Sequence, residues 1–429
     1  MRRLLSFIPF ILIALLPACR PSGKSLKLEQ ITIISRHGVR APLEQNLAEM
    51  DRMLGMEGAR WYRWPVVGSH LTLRGGVLEY MLGAYWRAYL DSADFRCTPE
   101  QAYFRASPKQ RTVATARDFA AGLFPGQEVR VSWKDFDSTL SVADREFLPL
   151  FNDTALPDFD TTAFKAEALR EMQALAAQAE IDYAFLEEIV DLAHSPWADS
   201  TRRKAFSRDM AFRVDFVGAA GKLLEPAMAC DLGSANKLSD ALVLQYYEME
   251  DARKAAFGRE LTFADWQRLG SVKDAYGDIL FTAPIVSVNV THAMFAQIKR
   301  LLGEGHKLIF LCSHDSMIQA MMAALRVEPY VLPGTIEQRT PIGFELVLER
   351  FRAGRETYGR LRLVYNTSDQ VREQAPADMA GAVPASVELR LAGLETAPNG
   401  LYRYADLMQR LDDTLDAYAA TARGENPFN

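Results

Sequence analysis

The chain has 429 residues, with 49 Lys and Arg against 55 Asp and Glu, for a formal net charge of −6; this excludes the basic domain or stripe of a nucleic-acid binder. With 49% hydrophobic and 24% charged residues, it carries enough apolar material for large cores and is not a disordered polymer. The length admits two or three domains, or one domain enlarged by an insertion.

Met1, Arg2 and Arg3 precede an apolar stretch from Leu4 to Leu16 that is interrupted by Ser6 and Pro9 and ends at Pro17, Ala18 and Cys19. A spanning helix needs about 20 apolar residues, so residues 1–19 read as a secretory signal peptide and 20–25 as a tether. Leu16-Pro17-Ala18-Cys19 is similar to the lipobox of bacterial lipoproteins, in which the cysteine is acylated and becomes the new N-terminus. The expectation is an exported protein, periplasmic or attached to the outer membrane, that meets a membrane only through lipid at Cys19. Ordinary cleavage near Ala18 is the alternative. Of the other cysteines, Cys97, Cys230 and Cys312, at most one pair can bridge.

Residues 26–35 contain Ile31, Ile33 and Ile34 and stop at Arg36-His37-Gly38, the pattern of a buried strand entering a turn. A second short strand, 103–106, leads through Ser107-Pro108 into a helix carrying Val113, Ala116, Phe119 and Leu123. The third, 307–311, runs into Ser313-His314-Asp315 and a helix over 316–325. Three strand-loop-helix units predict an α/β fold with a mostly parallel sheet flanked by helices, and ligands bind outside the carboxyl ends of such strands. From 158 to 276 the periodicity becomes helical, as in 164–177 and 185–193; strand-like segments return at 344–350 and 361–365, before a last helix at 404–421. The expected organisation is a first half of the α/β core at 26–150, a mainly helical insertion domain at 151–281, and a second half of the core at 282–429.

Arg36-His37-Gly38-Val39-Arg40-Ala41-Pro42 places two guanidiniums around one imidazole directly after a strand. Arginine's planar fork suits phosphate oxygens. An imidazole attacks phosphorus when its second nitrogen is pinned as a donor, and a turn glycine lets a backbone carbonyl approach for that purpose. His314-Asp315 ends another strand, where an aspartate can act as general acid and His314 as a phosphate donor, although a plain helix N-cap reads the same way. Arg111 opens a helix, a natural anion position.

Together these residues resemble the histidine acid phosphatase family, the RHGxRxP branch of the histidine phosphatase superfamily. The resemblance extends through Leu71-Thr72-Leu73-Arg74-Gly75-Gly76 and Gln110-Arg111-Thr112-Val113-Ala114-Thr115-Ala116. Leu244-Gln245-Tyr246-Tyr247-Glu248, Phe281-Thr282-Ala283-Pro284 and Arg339-Thr340-Pro341-Ile342-Gly343 are similar to bacterial periplasmic glucose-1-phosphatases, with phytases more distant. The resemblance implies a phosphoglycerate mutase-like core with a helical insertion, and hydrolysis of a small phosphomonoester through a phosphohistidine with no metal or other cofactor. It implies His37 as nucleophile, Arg36, Arg40, Arg111 and His314 as phosphate ligands, and Asp315 as proton donor. Glu248 is expected on the sugar side of the site, with Glu250 a neighbouring candidate, and Leu43, directly after the first motif, is apolar where phytases more often carry a threonine; both features lean away from a polyphosphate pocket. A phytase-like inositol phosphatase, a phosphotransferase and a non-hydrolytic phosphosugar-binding lipoprotein remain alternatives. Relatives often carry a disulfide at the position of Cys97, whose usual local partner is missing here, so a free Cys97 and a bridge to Cys230 both stay open.

Overall fold

The computed structural model describes residues 26–56, 61–134, 143–373 and 383–429; the signal peptide, the tether and Cys19 lie outside them. Among the described residues ten strands form, in chain order: β1 Lys27–Arg36, β2 Ala102–Ala106, β3 Val131–Ser132, β4 Ala211–Arg213, β5 Ala227–Ala229, β6 Leu308–Ser313, β7 Glu345–Ala353, β8 Glu356–Tyr365, β9 Ala385–Glu388 and β10 Tyr402–Arg403. Eight of them make one sheet in the order β10-β8-β7-β1-β6-β2-β3, with β9 also paired to β8.

The sheet is mixed, which corrects the expectation of a mostly parallel one. β1, β6, β2 and β3 run parallel, whereas β7 joins β1 antiparallel and continues into antiparallel β8, β9 and β10. The physical reason lies in the connections. Each parallel strand is reached through a long crossover with helices, while β7 and β8 are separated by two residues, and so short a link permits only a hairpin.

Helices cover both faces, so the central strands read as continuous apolar runs; every residue of β6 is buried. On one face the Leu73–Ser92 and Gln110–Leu123 helices close over Trp86, Phe104, Phe119 and Phe310, the last two stacked at 4.2 Å. On the other, the Pro284–Gly303, Asp315–Ala324 and Tyr404–Thr421 helices pack around Ile309, Leu311, Met317 and Phe344. Burying each such side chain contributes about 1.5–3 kcal/mol. No single helix among the described residues is long and apolar enough to cross a membrane.

Between the second and third strand-loop-helix units the chain is mainly helical, with the β4–β5 hairpin in its midst. Its Asp231–Glu248 and Phe263–Phe281 helices share a core with Val39, Met50 and Met53 from the first half of the chain, so the helical layer is fastened directly above the loop that follows β1. Cys97, Cys230 and Cys312 are all free thiols, which removes the Cys97–Cys230 bridge; burial pushes the Cys97 thiol up to about 11.

Candidate active site

Strand register assembles the site. Arg36 pairs with Ser313 across β1 and β6, and Ala106 pairs with Cys312 across β2 and β6, so the three parallel strands end level. The residues just past those ends, His37, Ser107 and His314, therefore meet. The rings of His37 and His314 lie 5.5 Å apart, edge to face.

His37 is 3% exposed, and its Nδ1 lies 3.0 Å from the carbonyl of Gly38. That contact makes Nδ1 the donor and leaves Nε2 with the lone pair, the nucleophilic tautomer. Gly38 is tightly packed: a Cβ there would stand 2.6 Å from Glu79 Oε1, and the buried Glu79 side chain would have to shift. Its N–H donates to Thr115 Oγ1 at 3.0 Å, tying the loop to the Gln110–Leu123 helix. Gly75 serves the other side of the loop, since a Cβ there would meet the Val39 carbonyl at 2.3 Å. Burial, followed by the charges of Arg111 and Arg36, holds the His37 imidazole well below its usual value, so it stays neutral in acid.

Around it stand the guanidiniums. Arg36, the last residue of β1, donates through Nη1 to Glu337 Oε1 at 2.9 Å and to the Thr340 carbonyl, while its Nη2 lies 3.3 Å from Asp315 Oδ2. Arg40 donates to Asp240 Oδ2 at 2.9 Å. Arg111 lies 3.3 Å from His314 Nδ1, and burial with Arg40 nearby lowers it to about 10. His314 Nε2 contacts Ser107 Oγ at 3.0 Å. Asp315 opens the helix after β6, and its side chain is 28% exposed. Burial pushes its carboxyl up, but Arg36, Lys273, His37 and Arg40 outweigh that and hold it well below the usual carboxylate range.

A cavity of about 510 Å³ opens on Arg40 and Asp315 and is bordered by Leu43, Glu225, Lys237, Asp240, Lys273 and Asp274. The six phosphate-chemistry residues read from the sequence thus come together, and Leu43 reaches the cavity wall. Glu248 does not. It accepts from Thr72 Oγ1 at 2.5 Å and lies 3.6 Å from Arg74 Nε, and it is not among the described residues lining the cavity; nor is exposed Glu250. The carboxylate that its helix presents to the cavity is Asp240, eight residues earlier, or about 12 Å along the axis. Glu248 instead secures Thr72, which caps the Leu73–Ser92 helix.

Sequence reasoning also missed Lys273 and Glu337. Lys273 Nζ lies 3.1 Å from Asp315 Oδ2 and 2.9 Å from Glu337 Oε1. Lys273-Asp274 interrupts a helix whose Leu269, Val272 and Ala275 are buried, a charged pair in apolar company that could have marked it. Trp61 packs on Phe257 and borders a separate shallow pocket with Tyr62 and Arg63, away from the catalytic cavity.

A buried neutral histidine, three arginines around it and a carboxyl at the cavity are the groups that a phosphohydrolase working through histidine requires. The model of the histidine phosphatase superfamily (branch 2) matches residues 27–366. The chain is 33% identical over 387 residues to a glucose-1-phosphatase of Salmonella typhimurium, covering 87% of this chain and 89% of that protein. It is 27% identical to the phytase AppA of Escherichia coli, covering 90% and 93%. Among solved structures, Hafnia alvei phytase in complex with tartrate superposes with a TM-score of 0.75 at 24% identity, covering 92% and 98%. The chain belongs to branch 2 of the histidine phosphatase superfamily and is a phosphoric monoester hydrolase.

Proposed function

We propose that the protein is an exported acid phosphatase that hydrolyses sugar phosphates such as glucose 1-phosphate through a phosphohistidine, without a metal. Arg36, Arg40, Arg111 and His314 hold the phosphoryl oxygens. His37 Nε2 forms the N–P bond while the P–O bond breaks, Asp315 gives its proton to the leaving oxygen, and the resulting carboxylate later takes a proton from the water that attacks phosphohistidine. The guanidiniums offset the equatorial charge that a divalent cation handles elsewhere. Acid operation suits this set, since His37 remains neutral there and a phosphomonoester, with a second pKa of about 6, arrives carrying one proton.

The observation that carries the substrate class is the pairing of the cavity's cations. Arg40 is held by Asp240, Lys237 by Glu49 at 2.6 Å, and Lys273 by Asp315 and Glu337. Among the described lining residues no other Lys or Arg is present. A polyphosphate would meet carboxylates where it needs surplus cations, whereas sugar hydroxyls find acceptors at Asp240 and Glu225. The 33% identity with a glucose-1-phosphatase supports the same reading. The signal-like N-terminus and Cys19 support export with a lipid anchor.

The test is phosphate release by the mature chain in chelator at pH about 5, comparing glucose 1-phosphate with inositol hexakisphosphate. Preference for glucose 1-phosphate, lost in His37→Ala with the fold intact, is the expected result. Preference for the inositol ester makes the protein phytase-like, and binding without release from either makes it a phosphosugar-binding protein. Addition of an alcohol acceptor separates hydrolysis from phosphotransfer. Radiolabelled fatty acid appearing in the native protein and absent from Cys19→Ser tests the anchor.

A further inference from the structure

Arg36, Lys273, Asp315 and Glu337 form one cluster in which each cation touches both anions. With two charges of each sign, it is neutral when the site is empty. Its two carboxylates are not equivalent. Glu337 is 2% exposed and is fixed further by the N–H of Ile342 at 3.0 Å and the hydroxyl of Tyr247 at 3.2 Å, whereas Asp315 is 28% exposed at the cavity. Lys273, 12% exposed, therefore stands between a permanent counterion and the carboxyl assigned to proton transfer.

We infer that Lys273 is a positioning residue: with Arg36 it keeps Asp315 a carboxylate in the empty site, and it yields Asp315 to a proton when the substrate's phosphoryl group arrives. The inference deepens the proposed function and rests on Asp315 being the proton donor. Charge balance supplies the mechanism. A dianion beside Arg36 makes the neutral cluster negative, and Asp315 is the member free to relieve this by binding a proton, taken from solvent or from a monoanionic ester. That proton passes to the ester oxygen as the P–O bond breaks and the bonding pair goes to the leaving oxygen. Asp315 is then again a carboxylate and pairs once more with Lys273.

The other groups facing Asp315 do not substitute for Lys273. Arg36, His37 and Arg40 come from β1 and the loop after it, and Arg111 from the Gln110–Leu123 helix; all of these belong to the phosphate niche. Glu225 approaches from the segment before the Asp231–Glu248 helix, and burial followed by the Asp315 charge pushes its own carboxyl up, so it supplies no cation to Asp315. For Lys273 itself, burial and Arg36 work against the charge, but Glu337, Asp315 and, beyond them, Asp240 outweigh both and hold it charged. It is the one cation of the cluster placed outside the phosphate niche, and so acts on the proton rather than on the phosphate.

Sulfate, a dianion at all working pH values, isolates the effect. Calorimetric titration of the mature chain with sulfate, in buffers of different ionisation enthalpy from pH 3 to 7, measures protons taken up per ion bound. The uptake window lies between the Asp315 titration in the empty and occupied sites. Native protein is expected to take up a proton on binding, and Asp315→Asn to take up none. Lys273→Met moves the window up by about one to three pH units, the effect of removing an opposite charge in contact, and Lys273→Arg leaves it in place. An unmoved window in Lys273→Met, uptake that survives in Asp315→Asn, or no uptake by the native protein overturns the inference. Should Lys273→Met fail to fold, Lys273→Gln carries the same comparison. Native turnover of glucose 1-phosphate by Asp315→Asn would instead overturn the proton-donor reading, whereas an unmoved window with Asp315→Asn inactive overturns only the role of Lys273.

Discussion

Glu337→Gln tests the electrostatic frame beneath the site. Glu337 is 2% exposed and accepts from Arg36, Lys273, Tyr247 and the N–H of Ile342. Burial alone would raise its carboxyl, but Lys273 and Arg36 reverse this and lower it to about 2 from the ordinary 4.5. A difference of about 2.5 pH units at 1.36 kcal/mol each corresponds to about 3 kcal/mol of native-state stabilisation. The independent expectation for breaking a buried ion pair, about 3–5 kcal/mol, agrees. Because the folded-state value is depressed, this stability is fully present above about pH 4.5 and is lost as pH falls through about 2. Urea unfolding of both proteins, followed by tryptophan fluorescence at pH 6 and again at pH 3, should therefore show a gap of about 3 kcal/mol at pH 6 that shrinks at pH 3. A gap that is the same at both pH values would mean that Glu337 acts by packing and that charge pairing with Arg36 and Lys273 is not its contribution.

Glu248→Gln weakens the contacts to Thr72 and Arg74 and should cost about 1–3 kcal/mol in unfolding assays, while the ratio of kcat/KM for glucose 1-phosphate over inositol hexakisphosphate stays unchanged; a changed ratio would return Glu248 to the substrate side. Asp240→Ala removes both the partner of Arg40 and a candidate hydroxyl acceptor, so kcat/KM for glucose 1-phosphate should fall about tenfold or more, the loss expected for a charged hydrogen bond. Turnover of an aryl phosphate without hydroxyls should fall less, and equal losses would assign Asp240 to Arg40 alone. Asp274 is pushed up to about 7, with burial the leading cause and Lys273 opposing it. A raised carboxyl binds a proton in the folded state that the unfolded chain has already released, so native stability falls as pH rises from about 4 to 7. Asp274→Asn should remove that slope in thermal unfolding scans, and parallel pH dependences in the two proteins would contradict it.

The meeting of Arg36, His37, His314 and Asp315 at one sheet edge was legible because its sequence logic is local. Ile31, Ile33 and Ile34 before Arg36-His37, and Leu308 to Leu311 before His314-Asp315, mark buried strands whose ends must be polar, and parallel pairing brings such ends to one edge. The helical wall of the cavity was not legible, because it is set by which face of a helix turns inward. The Asp231–Glu248 helix is buried over Leu232, Ala235 and Leu238 and then continuously from Ala241 to Tyr247. Its second half is buried all round and offers no stripe from which to read direction, so nothing in the segment before Glu248 showed that Asp240 is the carboxylate at the cavity wall. Lys273 and Glu337 were hidden for a related reason: they are 64 residues apart and meet only in space. On the proposed reading, the strand ends hold the phosphoryl group and the helical layer carries the residues that meet the rest of the substrate. On that reading, exchanges at Asp240, Lys237 or Glu225 alter substrate choice without disturbing the register that aligns His37 with His314, because the cavity wall and the strand ends belong to different layers.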